Sequence, residues 1–153
     1  MRGSQADAKS SALRLIDYRP RSRKEMIQRL KLKGFEDDEI NGTIEYLERA
    51  GLINDEILAD GLLKHAIERK LLGKRGAELF LYKRGIERNL ISKVISSHTK
   101  ENEDEAAKKL LEKKLRTLSK QPEEVIKRRL YGMLQRRGFA SDVIKAAVSS
   151  AMK

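Results

Sequence analysis

One pattern occurs three times along this chain: Leu, two residues, Lys or Arg, Gly, Phe or Ile, four residues, Ile, three residues, Ile or Val. The copies are Leu30, Lys33, Gly34, Phe35, Ile40, Ile44; then Leu81, Arg84, Gly85, Ile86, Ile91, Ile95; then Leu134, Arg137, Gly138, Phe139, Ile144, Val148. Their glycines lie 51 and 53 residues apart. A period of this length is the signature of a helical array, whose units of about 50 residues are only marginally stable alone and draw further stability from contact with a neighbour.

Each copy reads as a helix, a stop and a second helix. Glycine adopts the left-handed C′ conformation without a Cβ penalty, and the basic residue before it complements the helix C-terminus. The apolar residue after it packs back on the helix just left. The following Ile and Ile or Val, four apart, share one face of the next helix. Asp37 and Ser141 stand where N-caps are expected, and Arg88 holds that place in the middle copy.

A further helix precedes each pair. Ala12, Leu13 and Ile16 mark the first, which stops near Pro20, and Ser22-Arg23-Lys24-Glu25 then has capping-box spacing. Ala59, Leu62, Leu63, Ala66 and Ile67 mark the second, ending near Gly73, and Ala107, Leu110, Leu111, Leu115 and Leu118 the third, ending before Pro122. No stretch keeps a strand period. The expectation is an all-α protein of three tandem three-helix repeats, at 7–54, 55–99 and 100–153, after a leader at 1–6. Met1-Arg2-Gly3-Ser4 has no apolar run behind it, so it does not read as a secretory signal.

Charge narrows the partners. Of 153 residues 37% are charged, and the net charge is +11, which points to a polyanionic partner. The charge is segregated. Residues 19–33, 64–93 and 108–137 carry net +6, +6 and +8, whereas 36–60 carries −8. The middle helix of every unit is therefore basic, and units stacked in register would present one extended positive surface. No apolar run is long enough to span a bilayer, so a cytoplasmic protein is expected.

Enzymatic chemistry has few candidates. The absence of cysteine excludes disulfides, thiolate zinc sites, iron–sulfur clusters and cysteine nucleophiles. His65 and His98 fall on different helices and read as surface or boundary residues. His65 and Glu68 share a helix face, but two ligands do not make a catalytic metal site. Glu36-Asp37-Asp38-Glu39 and the acidic run Glu101 to Glu105 read as solvated faces or helix N-terminal charge. No Gly-x4-Gly-Lys-Ser/Thr phosphate loop occurs. Neither a metal nor a cofactor is expected.

Gly73-Lys74-Arg75-Gly76 matches the GxxG loop of KH domains, but without strands that reading fails. What is left is either a basic helix connection or a phosphate contact made by clustered amides and cations. Phe35 and Phe139 read as core residues. Tyr82 and Tyr131 lie beside basic residues, either as half-buried packing or as stacking platforms. Met26 to Leu47 has the outline of a DNA-binding helix-turn-helix. Its second helix opens with four acidic residues that would repel phosphates, which argues against base readout.

The order of motifs resembles that of the bacterial RecX family, regulators of the RecA recombinase. The resemblance runs from about Ser10 to Met152. It is carried by Leu52-Ile53-Asn54-Asp55-Glu56-Ile57-Leu58-Ala59, then Arg69 and Gly73, then Glu78-Leu79-Phe80-Leu81-Tyr82-Lys83-Arg84-Gly85-Ile86, and again by Leu134 to Phe139. The chain departs at Ile57 or Leu58, where the family often has Phe, and at Gly76-Ala77, where a basic residue and an aliphatic are usual. The resemblance implies an elongated, curved array. It also implies a modulator that lodges in the groove of a RecA–DNA filament and suppresses strand exchange, ATP hydrolysis and co-protease activity.

Charge and resemblance together nominate contact residues. Lys70, Lys74, Arg75, Lys83, Arg84 and Arg88 come first, and Lys127, Arg128, Arg129, Arg136 and Arg137 second. Arg84 and Arg137 have an alternative role at their own helix C-termini. The expected partners are the RecA nucleoprotein filament and single- or double-stranded DNA, met by a monomer. The competing readings are a helical DNA-binding regulator and a basic structural adaptor without RecA specificity.

Overall fold

The repeated Leu-x-x-basic-Gly-apolar pattern is a helix-ending device. In a computed structural model that describes residues 5–153, Gly34, Gly85 and Gly138 take φ of +89°, +84° and +80°. In each copy the glycine N–H donates three residues back, and the next N–H donates five back, to the repeat leucine. These bonds are Phe35 to Leu30, Ile86 to Leu81 and Phe139 to Leu134, at 3.1 to 3.3 Å. This is the Schellman pairing, whose accompanying apolar contact joins the residue after glycine to the leucine. The pattern's leucine, basic residue, glycine and aromatic or aliphatic thus each have a place in one motif.

The described residues form nine helices and no strand, and 76% of them are helical. Unit one is α1 (Gln5–Tyr18), α2 (Arg23–Leu32) and α3 (Asp37–Arg49). Unit two is α4 (Asp55–Glu68), α5 (Lys74–Lys83) and α6 (Arg88–Ile95). Unit three is α7 (Lys100–Leu118), α8 (Glu123–Arg136) and α9 (Ser141–Ala151). Met1 to Ser4 of the expected leader lie outside the described residues; Gln5 and Ala6 open α1.

Each unit closes around its own core. Met26, Leu30, Ile40, Ile44 and Leu47 fill the first, Leu62, Leu63, Leu81, Ile86 and Ile91 the second, and Leu111, Leu130, Leu134, Phe139 and Ile144 the third. Leu30, Leu81 and Leu134 are fully buried in equivalent places.

Three local expectations need correction. The helices after the glycines start one residue early: Glu36, Glu87 and Ala140 are the caps, while Asp37, Arg88 and Ser141 are already helical. Glu36 caps α3 in a reciprocal box with Glu39, so a carboxylate one residue upstream does the work expected of Asp37. At Ser22 only half of the expected box forms. Ser22 Oγ accepts from Glu25 N–H at 3.0 Å, but the Glu25 carboxylate turns away to arginines. The helix α4 ends at Glu68 rather than near Gly73, because Leu71 takes φ +52° and Leu72 N–H donates back to Ala66.

Candidate functional site

The units meet through two different joints, and these decide which cations are free to bind. Between units one and two, the Arg84 guanidinium reaches back. Its Nε donates to Glu25 Oε1 at 3.2 Å and its Nη2 to the Pro20 carbonyl at 3.0 Å. Gly85 sits so close that a Cβ there would come within 2.4 Å of Ser22 Oγ. Arg23 N–H donates to Asp55 Oδ1 at 2.9 Å, which partly offsets burial that raises the Asp55 pKa.

Between units two and three, Arg137 repeats the gesture of Arg84, donating to the Lys70 carbonyl. The rest of this joint is main chain against main chain. Gly73 N–H donates to the Arg137 carbonyl at 2.9 Å and Arg75 N–H to the Gly138 carbonyl at 3.2 Å. A Cβ on Gly76 would lie 2.1 Å from the Arg137 oxygen, and one on Gly138 would lie 2.1 Å from Gly76 N. The departure at Gly76-Ala77 therefore has a cause, since no side chain fits at Gly76. Leu71 packs on the core of unit three.

Glu103 closes this joint. It is only 5% exposed, and its Oε1 accepts from Lys74 N–H at 3.4 Å and Ala140 N–H at 3.1 Å. The solvated face expected for it is overturned by this burial, whereas helix N-terminal charge holds: Glu103 lies in the first turn of α7, and its carboxylate also serves the starts of α5 and α9. His98 lies nearby, 4% exposed rather than at the surface, and both its ring nitrogens are buried without a hydrogen-bond partner. Burial holds its pKa below the usual histidine value, with Lys74 adding to the effect and Glu103 opposing it.

These bonds settle the Gly73–Gly76 segment. The amides of Gly73, Lys74 and Arg75 are all taken by protein acceptors, so they form no phosphate nest. The side chains of Lys74 and Arg75 are exposed.

The nominated cations sort accordingly. Arg84, 17% exposed, and Arg137, part-buried, are held by the joints. Arg75 from α5, Arg88 from α6 and Arg136 from α8 converge on a groove of about 780 Å³ between units two and three. Tyr82, Leu79, Gln135 and one carboxylate, Glu78, line it with them. Gln135 also borders a second groove along α8, lined by Lys127, Arg128, Tyr131 and one carboxylate, Glu124. Lys127 pairs with Glu123 at 3.3 Å in an exposed contact of little worth. Lys70 lies over the Phe80 ring at 5.1 Å. Lys83 and Arg129 are exposed but line neither groove.

Tyr82 is 46% exposed, with Arg88 5.6 Å and Lys24 5.8 Å from its ring centre. Lys24 and Gln135 were not nominated from sequence. Lys24 belongs to unit one, 58 residues from Tyr82, and no local signal links them. Among the described residues no cluster of three metal-ligating side chains occurs, and no helix is long and apolar enough to cross a membrane.

Comparison with known proteins fits this geometry. Residues 8–47 match the family model for the RecX first three-helix domain, and residues 101–148 that for the RecX third three-helix domain. The Regulatory protein RecX of Mycolicibacterium smegmatis is 33% identical over 152 residues, covering 97% of this chain and 81% of that one. The chain belongs to the RecX family. RecX of Clostridium botulinum strain Eklund 17B is 30% identical, covering 94% of this chain and 68% of its relative. The crystal structure of RecX from Lactobacillus salivarius shares the fold, with a TM-score of 0.81, 24% identity and 96% of each chain covered. A second RecX crystal structure has a TM-score of 0.82 at 26% identity, covering 95% of this chain and 73% of that one. The RecX fold thus extends over all three units and both joints, and this chain is a regulator of RecX type.

Proposed function

We propose that this chain is a negative modulator of a RecA recombinase, acting as a cytoplasmic monomer without cofactor or catalytic activity of its own. It binds the RecA nucleoprotein filament and its DNA through the cationic surface that runs from the groove between units two and three along α8. There it slows strand exchange, ATP hydrolysis and co-protease activity. The observation that carries this reading is the convergence of Arg75, Arg88 and Arg136 on one groove at a joint, in a chain of RecX type. Guanidinium groups recognise phosphate and carboxylate with paired donors, so a groove with three of them suits the anionic surface of a nucleoprotein filament.

The test is the triple variant Arg75→Gln, Arg88→Gln, Arg136→Gln, assayed for binding to RecA–single-stranded DNA filaments and for suppression of RecA ATPase. All three side chains are exposed, so the fold should persist while suppression needs at least tenfold more protein. Unchanged suppression would remove the groove from the binding surface. If phosphates are the contacts, the salt slope of DNA binding falls by roughly 0.7 per lost single-strand contact. If DNA affinity holds while filament affinity falls, the groove meets RecA itself.

A further inference from the structure

The two internal joints are built from the same pair of corners. The corner that ends the second helix of a unit, with its basic residue and left-handed glycine, docks on the turn that opens the second helix of the unit before it. Arg84 and Gly85 meet Pro20 and Ser22, and Arg137 and Gly138 meet Lys70 and Gly76. An array of three units therefore carries one unused corner of each kind. At unit one, Lys33 and Gly34 are exposed, and a Cβ on Gly34 would meet nothing within 4 Å. At unit three, the turn from Ser119 to Glu124 is exposed throughout.

We propose that the free corner of unit one docks on the free turn of unit three in a second copy of this chain, head to tail. The charges match at the register of the first joint. There the Tyr82 ring, one place after the repeat leucine, has Lys24 at 5.8 Å and Arg88 at 5.6 Å from its centre. Lys24 stands two residues after the cap of α2, and Arg88 one residue after the cap of α6. The same three places across the free ends hold Lys31, Glu124 and Asp37, all exposed. An ammonium then stands between two carboxylates where the internal joint has a ring between two cations, and both arrangements attract. Pro122 has no N–H and Val125 has a side chain where the second joint needs Gly73 and Gly76. The contact between copies therefore follows the first joint, in which Ser22 and Glu25 hold those places. It shares no residue with the groove of Arg75, Arg88 and Arg136, and it does not rest on the RecA reading. A head-to-tail contact does not close on itself, so copies add in open rows. Exposed ion pairs are weak and the net charge of +11 opposes them, so dilute chains stay single and rows form only where chains are concentrated.

The experiment mixes isotope-labelled and unlabelled whole chains at high concentration and couples them with a water-soluble carbodiimide, which joins carboxylates to lysine amines in contact. Peptides linking Lys31 to Glu124 should form with one labelled and one unlabelled half. Sedimentation of the concentrated chain at moderate salt should show association, and Lys31→Glu and Glu124→Lys should each weaken it by about fivefold or more. Lys31→Glu lowers the net positive charge, so repulsion between whole molecules alone would change association in the opposite direction. An equal mixture of the two variants should regain wild-type association, because every joint between unlike variants again pairs opposite charges. The proposal is overturned if linked peptides are absent or never mix the labels, if Lys31→Glu associates as wild type does, or if the mixture stays as weak as its components. A chain that stays single at every concentration also overturns it and leaves the two corners to a different partner.

Discussion

Gly34 and Gly138 hold the same place in two units, and they separate two costs. Both have left-handed φ, but a Cβ at Gly34 meets nothing within 4 Å, whereas one at Gly138 would strike Gly76 main chain at 2.1 Å. Gly34→Ala should therefore cost only the conformational strain, about 1–2 kcal/mol. Gly138→Ala adds an overpacking term and should cost on the order of 3 kcal/mol or more. Denaturant unfolding of the two variants checks the difference. His98 gives a pH signature. Burial lowers its folded pKa from the ordinary 6.5, so the unfolded chain binds more protons as pH falls through that range. Stability is full above about pH 6.5 and declines below it. His98→Leu should flatten this decline between pH 7.5 and 5.5 in thermal melts, and an unaltered profile would show that His98 is not its source. Neither His98 nor Glu103 could be placed from sequence. The partners of Glu103 at the starts of α5 and α9 lie 29 and 37 positions away, and no local signal marks the burial of His98.

At the scale of the element, most of the secondary structure was legible, because its signals are local. Helix ends at Gly34, Gly85 and Gly138 follow from a six-residue window that contains the whole Schellman motif. The helix starts fall one residue before the expected caps, because Asp37 and Ser141 are better capping types than Glu36 and Ala140, the residues that hold the cap positions. The end of α4 at Glu68 was missed because Leu71 takes a left-handed φ, which leucine seldom does, and because it does so while packing on the core of unit three. Separate cores have an energetic consequence. Leu30→Ala, Leu81→Ala and Leu134→Ala should each cost about 2–5 kcal/mol, since all three are fully buried. Hydrogen exchange should show lost protection concentrated in the unit that carries the change. Uniform loss across all nine helices in Leu81→Ala would instead indicate a single cooperative block.

At the scale of the whole molecule, sequence showed where positive charge lies along the chain but not which charges are spent. Arg84 and Arg137 look identical to binding cations in a charge count; in space they brace one unit against the preceding one. Arg75, Arg88 and Arg136 share one groove because the glycine seam brings the start of α5 against the end of α8. Glu25 neutralises the arginines of the joint between units one and two, so Glu25→Gln leaves three arginines facing one another. Distance measurements between labels on α1 and α6 should broaden in Glu25→Gln. Labels on α4 and α9 should keep their wild-type distribution, and equal broadening at both would show that the two joints are mechanically linked. The glycine seam carries a further consequence. Peptide planes at van der Waals contact have no rotatable bonds to yield, whereas the arginine braces are long chains with several. Under load the molecule should behave as a two-unit blade on a compliant handle, bending at the handle before the blade deforms.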